Sequence, residues 1–138
     1  MIYLLDTNIL IYLIKQRPVQ VAMRVDQINS RDRLAMSFIT WAELLQGAAG
    51  SKKRSLVELQ LSELNRQVEV LYPQDSSICS HYAEQAACLR RYRTPMGTND
   101  LWIAAHALVL GATLVTHNLR EFSRVDGLAL EDWVEPQP

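Results

Sequence analysis

Short apolar segments recur along this chain, and the stretches between them are long enough for one or two helices. The first segment, Ile2–Leu5, is continuously apolar, as in strands that are covered on both faces. Strands that alternate with helices form right-handed crossovers and a parallel sheet. The pattern therefore predicts an α/β fold with three α/β/α layers and a central parallel sheet of four to five strands. The further predicted strands are residues 34–39, 68–71, 113–116 and 128–130.

Length and composition predict one folded domain that spans residues 1–138. A chain of 138 residues that is 49% hydrophobic can bury a substantial core. The 21% of charged residues, with five Gly and five Pro, excludes disordered, collagen-like and low-complexity chains. The net charge of −1 disfavours a strongly basic nucleic-acid binder, but an average charge does not describe local patches.

The two cysteines predict a reducing environment. Cys79 and Cys88 lie nine residues apart in a predicted helix, so they face opposite sides and cannot bridge each other. The apolar start of the chain stops at Asp6, which is too short for a signal sequence or a membrane span. We therefore expect a soluble, cytoplasmic protein that has no membrane association.

Three acids occupy positions where functional groups of parallel sheets gather, beyond the carboxyl ends of the strands. Asp6 follows the first strand, Glu43 lies in the helix after the second, and Asp100 opens the helix that leads to strand 113–116. The loop after that strand brings Asn118 and Glu121 to the same edge. The spacing thus predicts a cluster of carboxylates.

Each acid also has a structural explanation. Asp6 could cap the following helix, Glu43 could complete a capping box that begins at Thr40, and Asp100 could complement a helix dipole. Their combination favours a site, because three acids at one edge repel each other unless a cation holds them. Carboxylates without Cys or His suit Mg²⁺ or Mn²⁺ rather than zinc. Such an ion could activate water and stabilise charge on a phosphate.

Four segments, in order along nearly the whole chain, resemble the motifs of a known family. Three are similar to PIN-domain nucleases: Leu4-Leu5-Asp6-Thr7-Asn8, Thr40-Trp41-Ala42-Glu43-Leu44, and TNDLWIAAHA at residues 98–107. The fourth resembles the VapC toxin branch of that family: LVTHNLREF at residues 114–122, followed by Val125-Asp126-Gly127-Leu128 and Trp133.

The resemblance implies a PIN-like fold and a Mg²⁺-dependent endoribonuclease, the toxin of a type II toxin–antitoxin pair. It implies that metal-activated water hydrolyses an RNA phosphodiester, in tRNA or another structured RNA. The residues expected to be catalytic are Asp6, Glu43, Asp100 and Glu121, with Asp6 and Asp100 binding the metal. Hydrogen-bonding support is expected from Thr7, Asn8 and Thr116.

Position 118 departs from the family's pattern. Many PIN domains have a fourth acid there, and this chain has Asn118, which leaves a second metal site open. Glu121 could reach inward in its place or could be a surface acid. Asn118 could instead hold a water ligand or the substrate.

Two surfaces are candidates for binding partners. Arg90, Arg91 and Arg93 could hold RNA phosphates, or could simply complement a helix C-terminus. The first two predicted helices have more apolar surface than one small sheet needs. The resemblance implies that such a face receives a VapB-like antitoxin or a second protomer, hence a homodimer and a toxin–antitoxin hetero-oligomer. The apolar residues concerned are Ile11, Tyr12, Ile14, Val21 and Val25.

Two further interpretations concern single histidines, and two concern alternative functions. His106 is expected to be a packed structural histidine, and His117 a possible RNA contact. An aspartyl-nucleophile phosphatase also places an Asp after the first strand, but that chemistry usually needs a second Asp where this chain has Asn8. A PIN domain that binds RNA or protein without cleaving it is the remaining alternative, because Asn118 replaces the fourth acid.

Overall fold

The computed structural model describes residues 1–134, which form five strands and seven helices in alternating order. The strands are β1 (Ile2–Leu5), β2 (Arg33–Ser37), β3 (Glu69–Leu71), β4 (Thr113–Val115) and β5 (Ala129–Glu131). The helices are α1 (Thr7–Lys15), α2 (Val19–Asp26), α3 (Phe38–Ala49), α4 (Arg54–Gln67), α5 (Ser77–Arg91), α6 (Thr98–Leu110) and α7 (Leu119–Phe122).

The five strands form one parallel sheet in the order β3-β2-β1-β4-β5, which confirms the predicted parallel α/β fold. β1 lies at the centre, where Leu4 pairs with Ala35 of β2 and Leu114 of β4. The chain therefore leaves β1, β2 and β4 at neighbouring points on one edge of the sheet. That edge is where the predicted acids were expected to meet.

The core lies on both faces of the sheet because successive side chains of a strand point to opposite sides. Leu5 belongs to a buried cluster with Ile9 and other residues of α1 to α4. Leu4 belongs to a second cluster with Ile103 of α6 and Phe122 of α7. Helices thus cover both faces and produce the three predicted layers.

The second strand ends earlier than predicted. β2 stops at Ser37, and α3 begins at Phe38 instead of continuing as strand to residue 39. The physical reason is a cap: Ser37 Oγ accepts a hydrogen bond from the backbone N–H of Ile39 at 3.2 Å. Thr40 consequently lies buried inside the first turn of α3, and the predicted capping box from Thr40 to Glu43 is wrong.

Helix α4 also turns a different face inward than predicted. Leu56 and Leu59 are 51% and 57% exposed, whereas Leu61 and Leu64 are buried. Residues 57, 61 and 64 follow the helical period, and Leu56 and Leu59 lie beside that stripe. The prediction was right for Leu64 only.

Smaller boundary differences concern the helix ends. α2 ends at Asp26 rather than near residue 29, α6 begins at Thr98 directly after Gly97, and α7 is a short helix within the predicted 118–123 loop or turn. Cys79 and Cys88 are both free thiols, as expected. Among residues 1–134, no helix is long and apolar enough to cross a membrane.

Candidate active site at the carboxyl edge of the sheet

Asp6 is buried where β1 meets α1 and is tied to two neighbouring elements. Its Oδ1 accepts a hydrogen bond from the Thr7 backbone N–H at 2.8 Å, so it caps α1 as predicted. Its Oδ2 accepts a hydrogen bond from Thr116 Oγ1, just after β4, at 2.9 Å. Burial raises the pKa of Asp6, and the two hydrogen bonds partly offset this rise. The negative charges of Glu43 and Glu121 raise the pKa further.

Glu43 reaches the same edge from α3. Its Oε1 accepts a hydrogen bond from Thr7 Oγ1 at 2.8 Å, across 36 residues of sequence. Thr7 therefore links Asp6, through its backbone, to Glu43, through its side chain. Asn8, the other predicted supporting residue of α1, is exposed one position further along the helix.

Asp100 lies in the first turn of α6, beside the other acids. Burial is the largest cause that raises the pKa of Asp100, to about 7, followed by the negative charges of Asp6 and Glu121. A hydrogen bond with Glu121 and the charge of Glu43 add to this rise in pKa. Four carboxyl groups from different parts of the chain thus interact electrostatically at one edge.

Glu121 is turned toward Asp100, which decides between the two orientations that the sequence left open. Its Oε1 accepts a hydrogen bond from the Gly97 backbone N–H at 3.1 Å. Its Oε2 accepts one from Asn118 Nδ2 at 2.8 Å. A Cβ atom at Gly97 would lie 3.7 Å from Asp100 Oδ2 and 3.9 Å from Glu121 Oε1. Asn118 therefore orients an acid, and its own N–H donates to Thr116 Oγ1 at 3.0 Å.

The donor chemistry of these side chains fits a hard divalent cation. Four carboxylates and no thiolate meet at the edge, and a pocket of about 410 Å³ opens beside Glu43 and Asp100. Burial is the largest cause of the raised pKa values of Asp6 and Asp100, and the negative charges of the neighbouring acids, which a cation would offset, raise them further. Within residues 1–134, no three His, Cys, Asp or Glu side chains already converge as metal ligands.

The two histidines of the predicted motifs occupy different environments. His106 is fully buried, with Nδ1 2.9 Å from Ser37 Oγ, as expected of a structural histidine. Burial lowers the pKa of His106. His117 is exposed near the site, and its Nδ1 lies 2.9 Å from Asp132 Oδ2, a partner that the sequence did not suggest. Its contact with RNA stays a prediction.

Sequence reasoning missed two residues that shape the loop before α6. The Gly97 backbone N–H holds Glu121, and Arg124 Nη1 donates to the Pro95 carbonyl oxygen at 2.7 Å. Helix α7 and the residues after it thus fasten the 94–97 loop beside Asp100. The Pro and Gly of residues 94–97 predict a loop, but nothing in the sequence indicated that Glu121 and Arg124 would hold it.

The predicted arginine cluster lies at the end of α5, on the far side of that loop. Arg90, Arg91 and Arg93 are all exposed. Arg90 and Arg93 line a surface pocket together with Met96 of the loop, and Arg91 does not. Two of the three arginines therefore line this pocket, which the loop separates from the acids.

One family model, two relatives and one solved structure show what this chain is similar to. Residues 3–128 match the family model described as PIN domain. The chain is 50% identical to Ribonuclease VapC1 of Haemophilus influenzae over 98% of this chain and 100% of that protein. It is 38% identical to tRNA(fMet)-specific endonuclease VapC of Salmonella typhimurium, over 95% of this chain and 97% of that protein. The solved structure of VapBC-1 from nontypeable Haemophilus influenzae contains a chain that matches with a TM-score of 0.91 and 50% identity, covering 98% of this chain and 100% of that one.

Proposed function

This chain belongs to the PIN-domain family and, within it, to the VapC ribonucleases, and on that premise we propose that it is a metal-dependent endoribonuclease that hydrolyses RNA phosphodiester bonds. The observation that carries the proposal is the meeting of Asp6, Glu43, Asp100 and Glu121 at one sheet edge. Acids that raise each other's pKa destabilise the folded chain, so their proximity calls for a function that uses their charge.

Asp6 and Asp100 are the proposed ligands of Mg²⁺, with Mn²⁺ as an alternative, and Glu43 and Glu121 complete the acidic group. When bound, the ion would lower the pKa of a coordinated water and stabilise charge on the phosphate. Thr7 and Thr116 orient the acids through the hydrogen bonds described above.

Glu121 takes over the role of the acid that many PIN domains have at position 118. Asn118 supports it by donating from Nδ2 and cannot itself carry negative charge. Because its carboxylate lies beside Asp100, Glu121 could accept a proton from water or serve as a further ligand of the ion. Asn8 is exposed next to Thr7, and its proposed role is to contact the substrate.

The proposed substrate is a structured RNA, and transfer RNA is the first candidate because a relative is named as a tRNA-specific endonuclease. Arg90, Arg91 and Arg93 would hold its phosphates at the end of α5, since arginine forks match phosphate geometry. The charge of the chain as a whole is near zero, so these local arginines matter more than long-range attraction.

The proposed protein partners are a VapB-like antitoxin and a second copy of this chain, in one hetero-oligomer in the cytoplasm. The solved structure that this chain resembles is that of VapBC-1 from nontypeable Haemophilus influenzae. The sequence predicted that the apolar surface of α1 and α2 receives the partner. Of its residues, Val21 is fully buried in the core, but the nearby Val19 and Met23 of α2 are 60% and 52% exposed. Ile11, Tyr12 and Ile14 pack partly against the core, and the proposed partner covers their remaining exposed surface together with Val19 and Met23.

The test is to map RNA 5′ ends after brief expression of the wild type or of Asp100→Asn, and to repeat the cleavage with purified protein, with and without Mg²⁺. We expect Asp100→Asn to lose cleavage by about 100-fold or more, because a metal ligand is removed. Asp26→Asn changes an exposed acid at the end of α2 and serves as the matched control. Cleavage by Asp100→Asn at the wild-type rate would refute the assignment.

A calorimetric titration separates cleavage from simple binding. Mn²⁺ should bind to the wild type and bind much more weakly to Asp6→Asn. No binding to either protein would favour the PIN domain that binds without cleaving.

A further inference from the structure

A second pocket lies on the other side of the loop at residues 94–97 from the acids, and it has no role in the proposed cleavage. It has a volume of about 340 Å³, at the lower end of the range of about 300 to 1,000 Å³ over which proteins hold small ligands. Its lining is mostly apolar, with two arginines: Ala86, Leu89, Arg90, Arg93, Pro95, Met96 and Leu101. This combination suits a flat, largely apolar group that carries a negative charge beside it.

The pocket and the acidic site share a wall. Met96 and Leu101 line the pocket, whereas their neighbours Gly97 and Asp100 line the acidic site. Adjacent Cα atoms are about 3.8 Å apart, so the same short stretch of backbone borders both pockets. The wall is held in place by Glu121, which accepts from the Gly97 N–H, and by Arg124, which donates to the Pro95 carbonyl.

Arg93 has a backbone conformation that is unusual for a residue with a side chain. Its φ is +55°, in the left-handed region. It ends α5 in a Schellman motif: the Thr94 N–H donates to the Leu89 carbonyl at 2.9 Å, and the Arg93 N–H donates to the Arg90 carbonyl at 3.2 Å. Glycine is the usual residue at this position because a Cβ raises the energy of this backbone. An arginine there bears a conformational cost, which is typical of residues with a functional role.

We propose that this pocket binds one unstacked base of the RNA substrate, next to the phosphate that is cleaved. The proposal rests on the proposed ribonuclease function and adds to it the element that selects the cleavage site. A base that leaves its stack can be held between aromatic or apolar side chains, and single-stranded bases also stack on arginine planes. Leu89, Met96 and Leu101 offer the apolar surface, and Arg90 and Arg93 offer guanidinium groups to the base and to its phosphate. The charges match, because the backbone that carries the base is anionic.

The test combines a protein variant whose pocket is filled by a larger side chain with an RNA that lacks one base. Ala86 lies on α5 within the lining, so Ala86→Phe places a ring in the space of the base. The substrates are short RNA oligonucleotides that span a mapped cleavage site, either intact or with an abasic ribose at one position beside the cut. We expect the wild type to lose about 10-fold in kcat/KM on one abasic RNA, because base stacking is lost. Ala86→Phe should be about 10-fold slower on the intact RNA but should show little further loss on the abasic RNA.

Arg93→Gly is the second variant. Because glycine adopts the left-handed backbone conformation readily, this change should not lower the stability of the folded protein. It should also reduce the difference between intact and abasic RNA. Arg66→Ala changes an exposed arginine of α4 and should behave like the wild type. If Ala86→Phe and Arg93→Gly distinguish the two RNAs as strongly as the wild type does, the proposal is wrong and the pocket has another occupant, such as a protein side chain.

A binding measurement without metal keeps this test independent of cleavage. The dissociation constants of the same RNAs, measured by fluorescence anisotropy in EDTA, should show the same pattern. Failure of the wild type to cleave any RNA would contradict the proposed function, whereas equal affinity for intact and abasic RNA at every position would contradict the base pocket.

Discussion

Asp100→Asn should make the metal-free protein more stable at about pH 8, although it removes a proposed metal ligand. The pKa of Asp100 is raised from 3.8 to about 7, first by burial and then by the charges of Asp6 and Glu121. Below the unfolded pKa of 3.8, both states hold the proton. As the pH rises from there, the unfolded chain releases its proton first and the folded protein keeps it, so wild-type stability falls until the pH passes about 7.

The size of the effect follows from the same pKa. One pKa unit corresponds to about 1.4 kcal/mol, so the rise in the pKa of Asp100 sets an upper limit of about 4 kcal/mol. Asp100 is only half-buried, and water screens its neighbours, so we expect about 1 to 2 kcal/mol at about pH 8. The neutral Asn avoids this penalty, and its advantage over the wild type should grow between about pH 5 and pH 8.

The assay measures the free energy of unfolding by urea denaturation in EDTA, at about pH 5 and at about pH 8. It compares the wild type, Asp100→Asn and a control variant. Asp75→Asn is a suitable control because hydrogen bonds from Ser77 lower the pKa of Asp75, so the ionised form stabilises the folded state above pH 3.8. It should gain no stability as the pH rises. An advantage of Asp100→Asn that is constant or shrinks from about pH 5 to pH 8 would refute the reasoning. Adding Mg²⁺ should then stabilise the wild type and not Asp100→Asn.

Three further changes test individual contacts. Ser37→Ala removes the N-cap of α3 and should lower the free energy of unfolding by about 1 to 2 kcal/mol in urea titrations. Asn118→Asp places another carboxylate beside Glu121, 2.8 Å away in the present contact, so it should lower stability in EDTA and tighten Mn²⁺ binding in calorimetry. Thr116→Val removes a hydrogen bond that lowers the pKa of Asp6, so the rise of the cleavage rate with pH should shift to higher pH. An unchanged pH–rate profile would count against a role for the Asp6 carboxylate.

The sequence predicted the strands and their parallel arrangement well because buried strands of a covered sheet are continuously apolar. It failed at the end of β2, where Phe38 and Ile39 continue the apolar run although they already belong to α3. The spacing of apolar residues alone cannot distinguish a buried strand from the first turn of a buried helix. The deciding contact is the bond from the Ile39 N–H to Ser37 Oγ, and a single Ser before an apolar run is a weak signal.

The acids at the sheet edge were predictable, but their contacts were not. Asp6, Glu43 and Asp100 follow from topology, since the chain leaves neighbouring strands at one edge. The orientation of Glu121 depends on two bonds, to the backbone of Gly97 and to Asn118. Gly97 is 24 residues away in sequence, and its N–H has no partner within α6 because it lies at the start of that helix.

Helix α7 joins the two halves of the proposed site, which explains why a four-residue helix matters for the function. Glu121 faces Asp100 and holds the Gly97 N–H, and Arg124 one turn later holds the Pro95 carbonyl. Phe122 between them is fully buried against α6 and the sheet. The buried ring fixes α7, and α7 in turn fixes both the acid beside Asp100 and the loop that separates the acids from the base pocket. A displacement of this helix would therefore disturb both the proposed metal site, to which it contributes Glu121, and the proposed base pocket.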